Sequence, residues 1–193
     1  MRVDFTEKEI KRLEAFCKRR NLTIKKFLAK GHSSRIFLVQ KGRQKFVAKV
    51  ERDDSTRKRM LEKEAFNLGL ANSLGIGPKL EAHDLHLRVL LMEFIDGKTF
   101  GEWIQEKRTK AEIERFVKAL LAQAKKMDEF GLDHGQLAGR GANILVRKGK
   151  PVIIDFEKAS IARKCHNLNV VEAFLFKNKH SKIVKKIGRF LEK

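Results

Sequence analysis

Residues 142–156, ANILVRKGKPVIIDF, restrict this chain more than any other stretch. Two apolar, β-branched arms flank a glycine-containing turn, which is the pattern of an antiparallel hairpin. A hairpin brings its open ends together, and here they carry Asn143 and Asp155. A charge at the end of an apolar strand belongs in a cleft, because burying it unpaired is costly. An amide oxygen and a carboxylate together are hard donors. Magnesium prefers such oxygens, completed by water and substrate phosphates. Glu157 is a further ligand or an outer acceptor. Taken alone, Asn143 reads as a turn residue capping the hairpin; beside Asp155 the metal reading is stronger.

The rest of the chain supplies a context. Thr6 and Glu9 form a capping-box pattern, and Ile10, Leu13 and Phe16 follow at helical spacing, which predicts a helix over 7–20. Residues 24–52 read as three antiparallel strands joined by KGHSS and KGRQ. Ser55 or Thr56 is expected to cap a helix over 56–73, stopped by GIGP. LRVLLMEFI reads as a buried strand, 100–130 as helical, and 168–193 as mostly helical. The order, β-rich first and mainly helical afterwards, predicts an α+β, two-lobed layout. The expected division is a β-rich lobe over 1–95 and a reduced helical lobe over 96–193.

Two charged residues lie on apolar elements. Alternation along FVAKV puts Val47 and Lys49 on one face, and Ala48 and Val50 on the other. Lys49 is either an ordinary strand lysine reaching solvent or one held by an acid or an anion. Leu61, Glu64 and Leu68 share a helical face, where a carboxylate is costly unless paired. Glu64 either sits at the edge of that stripe or pairs with Lys49, and the pair is the stronger reading. In KGHSSRIF, amides around Gly31, Ser33 and Ser34 are candidates for phosphate oxygens; a plain hairpin turn accounts for the segment equally well.

Composition sets limits. Hydrophobic residues make up 42%, enough for a packed core. The net charge of +20, from 44 basic and 24 acidic residues, attracts polyanions such as RNA or nucleotide phosphates, or is simply a lysine-rich solvated surface. Cys17 and Cys165 form no disulfide framework or metal spacing. The longest apolar runs, VLLMEFI and PVIIDF, are too short to span a bilayer, and the N-terminus has no signal-like apolar core. The expectation is a cytoplasmic protein without stable membrane insertion.

In order, these pieces resemble a protein-kinase-like fold over about residues 24–160. Lys49 in VAK resembles the strand lysine that contacts phosphates, and Glu64 its helix partner. Asp155 in IIDF and Asn143 in GANILV resemble the metal-binding pair. LLMEFIDG resembles the hinge, where backbone near Glu93 and Ile95 would meet adenine. GHSSRIF and IIDFEKAS, with no Ala-Pro-Glu motif after them, are similar to the RIO-type family and to the kinase subunit of the KEOPS complex. The resemblance implies ATP and magnesium as cofactors, and a protein serine or threonine as acceptor.

The catalytic loop departs from that pattern. In DHGQLAGRGAN, Gln136 stands where such enzymes keep an aspartate, and glutamine cannot accept a hydroxyl proton as a carboxylate does. Asp133 is the nearest carboxylate and the candidate base or substrate-orienting group. His134 reads as a core histidine bonded to backbone. Ile183, Val184, Ile187, Phe190 and Leu191 face one side of a terminal helix, and Lys182, Lys185, Lys186 and Arg189 the other, which predicts docking by the apolar face. Three functions remain: an atypical Ser/Thr kinase or ATPase, a pseudokinase-like module docking on RNA or a ribonucleoprotein, and a small-molecule phosphotransferase, for which the second lobe is short.

Overall fold

The computed structural model describes residues 5–138, 141–177 and 181–191, with side chains through 188 in the last segment. The chain forms two compact units, Met1–Gly69 with Pro78–Phe94, and Leu70–Gly77 with Ile95–Lys193.

The first unit begins at Thr6, whose hydroxyl accepts the Glu9 amide while the Glu9 carboxylate takes the Thr6 amide. That box starts α1 (Glu7–Arg20) as expected, and Asn21 ends it in the left-handed conformation. β1 (Thr23–Lys30), β2 (Ser34–Lys41) and β3 (Gln44–Glu51) then meander antiparallel. β4 (Leu80–Asp84) and β5 (Val89–Glu93) complete a sheet of order β1-β2-β3-β5-β4. The register pairs Phe37 with Ala48 and Ala48 with Leu91. These side chains share a face and pack with Leu13, Phe16 and Cys17 of α1. Glu9 fixes the helix there: its carboxylate accepts the Asp53 amide at 2.9 Å and faces the buried Arg35 guanidinium at 3.4 Å.

Three expectations change in detail. The second helix, α2, runs Met60–Ser73, not from 56. Arg59 adopts a left-handed φ of 59°, and the Ser55 hydroxyl accepts the Arg57 amide in a turn instead of capping a helix. The buried strand is confined to Val89–Glu93 because Arg88 turns at φ 51°, and β4 beside it had no periodic signal. The helical stretch 100–130 is two helices, α3 (Phe100–Trp103) and α4 (Lys110–Phe130). Thr99 and Thr109 each open one with a full capping box, so the break is written in the Thr-x-x-Glu spacing.

In the second unit, β6 (Lys98–Thr99) joins the hairpin of β7 (Ile144–Arg147) and β8 (Lys150–Ile153), which forms as read. Ile113, Phe116, Leu120, Ala124 and Met127 of α4 are fully buried. Phe116 stacks on Phe100 at 4.6 Å and on Trp103 at 5.0 Å, each contact worth about 0.5–1.5 kcal/mol beyond area burial. α5 (Asn167–Glu172), a π-helical turn (Ala173–Lys177) and α6 (Lys182–Leu191) follow. Ile183 and Ile187 are buried, so the last helix docks by its apolar face; Arg189, Phe190 and Leu191 lie outside the described side chains. Among the described residues no helix is long and apolar enough to cross a membrane.

Candidate active site

Strand parity places Lys49. Ala48 and Val50 point to α1, so Lys49 points to the opposite face, between Ile36 and Leu90 on the neighbouring strands. α2 presents Leu61, Glu64 and Leu68, at 5%, 1% and 1% exposure, as one buried stripe. The Lys49 ammonium donates to Glu64 Oε1 at 2.5 Å, with both side chains nearly dry. A buried ammonium oriented by a carboxylate is a fixed cation on the sheet face, and an anion is the ligand that suits such a charge.

The loop before β2 is tighter than a phosphate cradle requires. The Gly31 amide donates to the Ser34 carbonyl at 2.8 Å, and Ser33 and Ser34 are buried. Arg52 holds the carbonyls of Gly31 and His32 from the other side, each at 3.0 Å. The expected Gly31 donor is thus occupied within the hairpin turn. At the end of β5 the Glu93 amide donates to the Lys79 carbonyl, and its carboxylate accepts the Lys79 amide at 3.2 Å. Ile95 is buried, and Phe94 and Ile95 mark the boundary between the units.

In the second unit the loop after α4 is organised around His134. Its ring is fully buried and edges against Phe156. Nδ1 accepts the Gln136 amide at 3.3 Å, which leaves Nε2 protonated and donating to the Ile154 carbonyl at 3.0 Å. The imidazole therefore ties the loop to the end of β8, the backbone-bonded role expected for it. Burial lowers its pKa, opposed by the Ile154 bond and by Asp155 and Asp133.

That shift predicts an acid-sensitive loop. The folded pKa lies below the unfolded one, so the unfolded chain takes up the proton first. Stability is full above about pH 6.5, the unfolded value, and declines as pH falls below it, by no more than about 1.4 kcal/mol per pH unit. Urea midpoints at pH 7.5 and 5.5 measure it. The difference should shrink in His134→Gln, and an equal difference in both proteins removes His134 as the cause.

Asn143 and Asp155 stand at the open end of the hairpin, linked by the Ile154 amide donating to the Asn143 carbonyl at 2.9 Å. Asn143 Nδ2 donates to the Gln136 carbonyl at 2.8 Å, so its oxygen is the atom left to act as a hard donor. Asp155 takes a left-handed φ of 70° two residues after the end of β8 and starts the 3-10 turn Phe156–Lys158, in which Glu157 is buried. An amide oxygen and a carboxylate so placed suit a hard cation whose other positions belong to phosphates and water. The Gln136 side chain is exposed.

Asp133 is held differently from a waiting base. Its backbone makes an isolated antiparallel bridge with Ser160, and its carboxylate pairs with Arg163 at 2.8 Å. Arg163 also donates to the Lys158 carbonyl at 2.6 Å. Gly135, at φ 76°, leaves room for it: a Cβ there would lie 2.5 Å from the guanidinium. A substrate hydroxyl would have to compete with Arg163 for that carboxylate.

Three residues that the sequence did not single out support this loop. Asn167, 1% exposed, accepts the His134 amide at 2.9 Å and donates to the Leu132 carbonyl and to Asp128. Asp128 accepts the amides of Asn167 and Leu168, both at 2.9 Å, at the start of α5. Arg163 is the third. An acid and an asparagine separated by so much chain leave no local pattern by which to pair them.

A family model described as RIO domain matches residues 7–174. Over 85 residues the chain is 33% identical to the uncharacterized protein MJ1211 of Methanocaldococcus jannaschii, an alignment covering 44% of this chain and 72% of that protein.

Proposed function

The chain belongs to the RIO domain family, which is atypical kinase-like, and on that premise we propose that it is an ATP- and magnesium-dependent atypical serine/threonine protein kinase, or an ATPase using the same residues. The buried Lys49–Glu64 pair carries this reading, because an ammonium kept dry and oriented on a sheet suits a phosphate. Lys49 would take the α/β-phosphates and Glu64 would hold it in place. The backbone of Glu93 and Ile95 would meet adenine. Asn143 and Asp155 would hold the metal through oxygen. When bound, magnesium neutralises charge on the phosphates. The acceptor would be a hydroxyl on a protein not yet identified, and the site of action the cytoplasm.

A second reading rests on Gln136 and on the Asp133–Arg163 pair. With no carboxylate at the usual position, and the nearest one held by a guanidinium, the chain would bind nucleotide and turn it over slowly or not at all. It would then serve as a docking module, with the +20 surface directed to RNA or a ribonucleoprotein.

ATP turnover with and without magnesium, together with ATP binding, tests both. The expected result is slow magnesium-dependent turnover in the wild type, lost by about 100-fold or more in Asp155→Ala. Asp133→Asn should lose less than about ten-fold, since removing a working general base costs about 100-fold or more. A loss in Asp133→Asn equal to that of Asp155→Ala would make Asp133 the base. Tight ATP binding without turnover would favour the docking module. No ATP binding would overturn both readings.

A further inference from the structure

A groove of about 750 Å³ lies in the first unit between α2 and the end of β4. It plays no part in the site described above. Phe66, 58% exposed, and Leu85, 53% exposed, form its apolar walls. Single exposed apolar side chains are ordinary, but two large ones on one concavity mark a contact surface. Lys58, Arg59, Lys63 and His83 stand around them. The one carboxylate among the lining residues, Glu62, is held by Arg59 at 2.6 Å and 2.8 Å. A smaller recess of about 250 Å³ continues from it past Arg88 and Asp84, and there Asp84 faces Arg19 at 3.4 Å.

We propose that this groove docks an acidic protein segment carrying an aromatic or aliphatic anchor, held by Phe66 and Leu85 and steered by Lys58, Arg59 and Lys63. Charge complementarity selects the occupant: an apolar cleft with a cationic rim, on a chain of net charge +20, favours carboxylates flanking an apolar side chain. Single-stranded nucleic acid fits less well, because it is gripped by aromatic faces stacking on successive bases, and here the Phe66 ring and the His83 imidazole stand among a leucine and an alanine, with no series of large aromatic faces. The position has a consequence. Phe66 lies on the side of α2 opposite Glu64, so an occupant would press the helix that carries the Lys49 partner. The docking itself does not depend on nucleotide turnover.

The test is fluorescence anisotropy on the full chain with a labelled peptide, Glu-Asp-Glu-Phe-Leu-Asp-Glu. The comparison probes are the same peptide with Ala-Ala at its centre and an oligouridylate of equal charge. Saturable binding is expected, about ten-fold weaker for the Ala-Ala peptide and for the double variant Phe66→Ser with Leu85→Ser, the size of one lost anchor. Lys63→Glu should also weaken binding. All the substituted side chains are exposed, and melting temperatures check that the variants stay folded. Equal affinity for the two peptides, or for wild type and the double variant, would overturn the proposal. Tighter oligouridylate binding that falls in the double variant would assign the groove to nucleic acid instead.

Discussion

Lys49→Ala is expected to abolish magnesium-dependent ATP turnover and to lower stability by about 3–5 kcal/mol, the cost of removing one member of a buried ion pair. Glu64 is 1% exposed, and without the ammonium its carboxylate remains among Leu61 and Leu68. Loss of activity in that variant alone would therefore not separate chemistry from folding. Lys49→Met combined with Glu64→Leu does so. Apolar replacement of a buried ion pair is often neutral or stabilising, so stability should return close to the wild-type value while turnover stays absent. Denaturation midpoints and ATP turnover on the three proteins decide it. Wild-type stability in Lys49→Ala would mean that the pair is not dry in solution. Turnover within ten-fold of wild type in either variant would remove Lys49 from the phosphate site.

Asn167→Asp is expected to be the most damaging conservative change in the second unit. The Asn167 amide nitrogen donates to Asp128 at 2.7 Å and to the Leu132 carbonyl at 2.8 Å. A carboxylate there turns an attractive contact into repulsion in a fully buried place and costs about 3–5 kcal/mol. Asn167→Ala removes the same hydrogen bonds without adding charge and should cost about 2–3 kcal/mol. The introduced carboxyl group has a folded pKa above its unfolded value. Its penalty is therefore fully present at high pH and is relieved as pH falls through the folded pKa, so the gap between the two variants should narrow in acid. Urea midpoints at pH 7.5 and 5.5 measure that gap, and a constant gap would show that Asp128 does not face the side chain. Asn167→Ala should also lose turnover, because the His134 amide loses its acceptor and the loop bearing Gln136 its anchor, whereas Asn167→Asp keeps an oxygen for that amide and loses the donor to the Leu132 carbonyl.

Much of this was legible because it depends on short spacings. The Thr6–Glu9 box, the alternation that turns Lys49 away from α1, the stripe of Leu61, Glu64 and Leu68, and the hairpin from Asn143 to Asp155 are all local patterns. Each rests on a helix period, a strand period or a turn, and those hold whatever the rest of the chain does. Backbone strain was harder to see. Arg59 and Arg88 adopt left-handed conformations without glycine, and they moved the start of α2 and the limits of the fifth strand.

The sequence alone therefore determined the succession from a β-rich to a mainly helical part, the resemblance to atypical kinases, and the absence of the usual aspartate at Gln136. Only the tertiary structure decided what each polar group does with its bonds. It gave Lys49 to Glu64, closed the Gly31 amide into a turn, paired Asp133 with Arg163, and suspended the His134 loop from Asn167 and Asp128. Periodicity says which face a side chain occupies. Which partner it finds depends on groups brought together across the chain, and a buried polar group must take the partner that packing sets beside it.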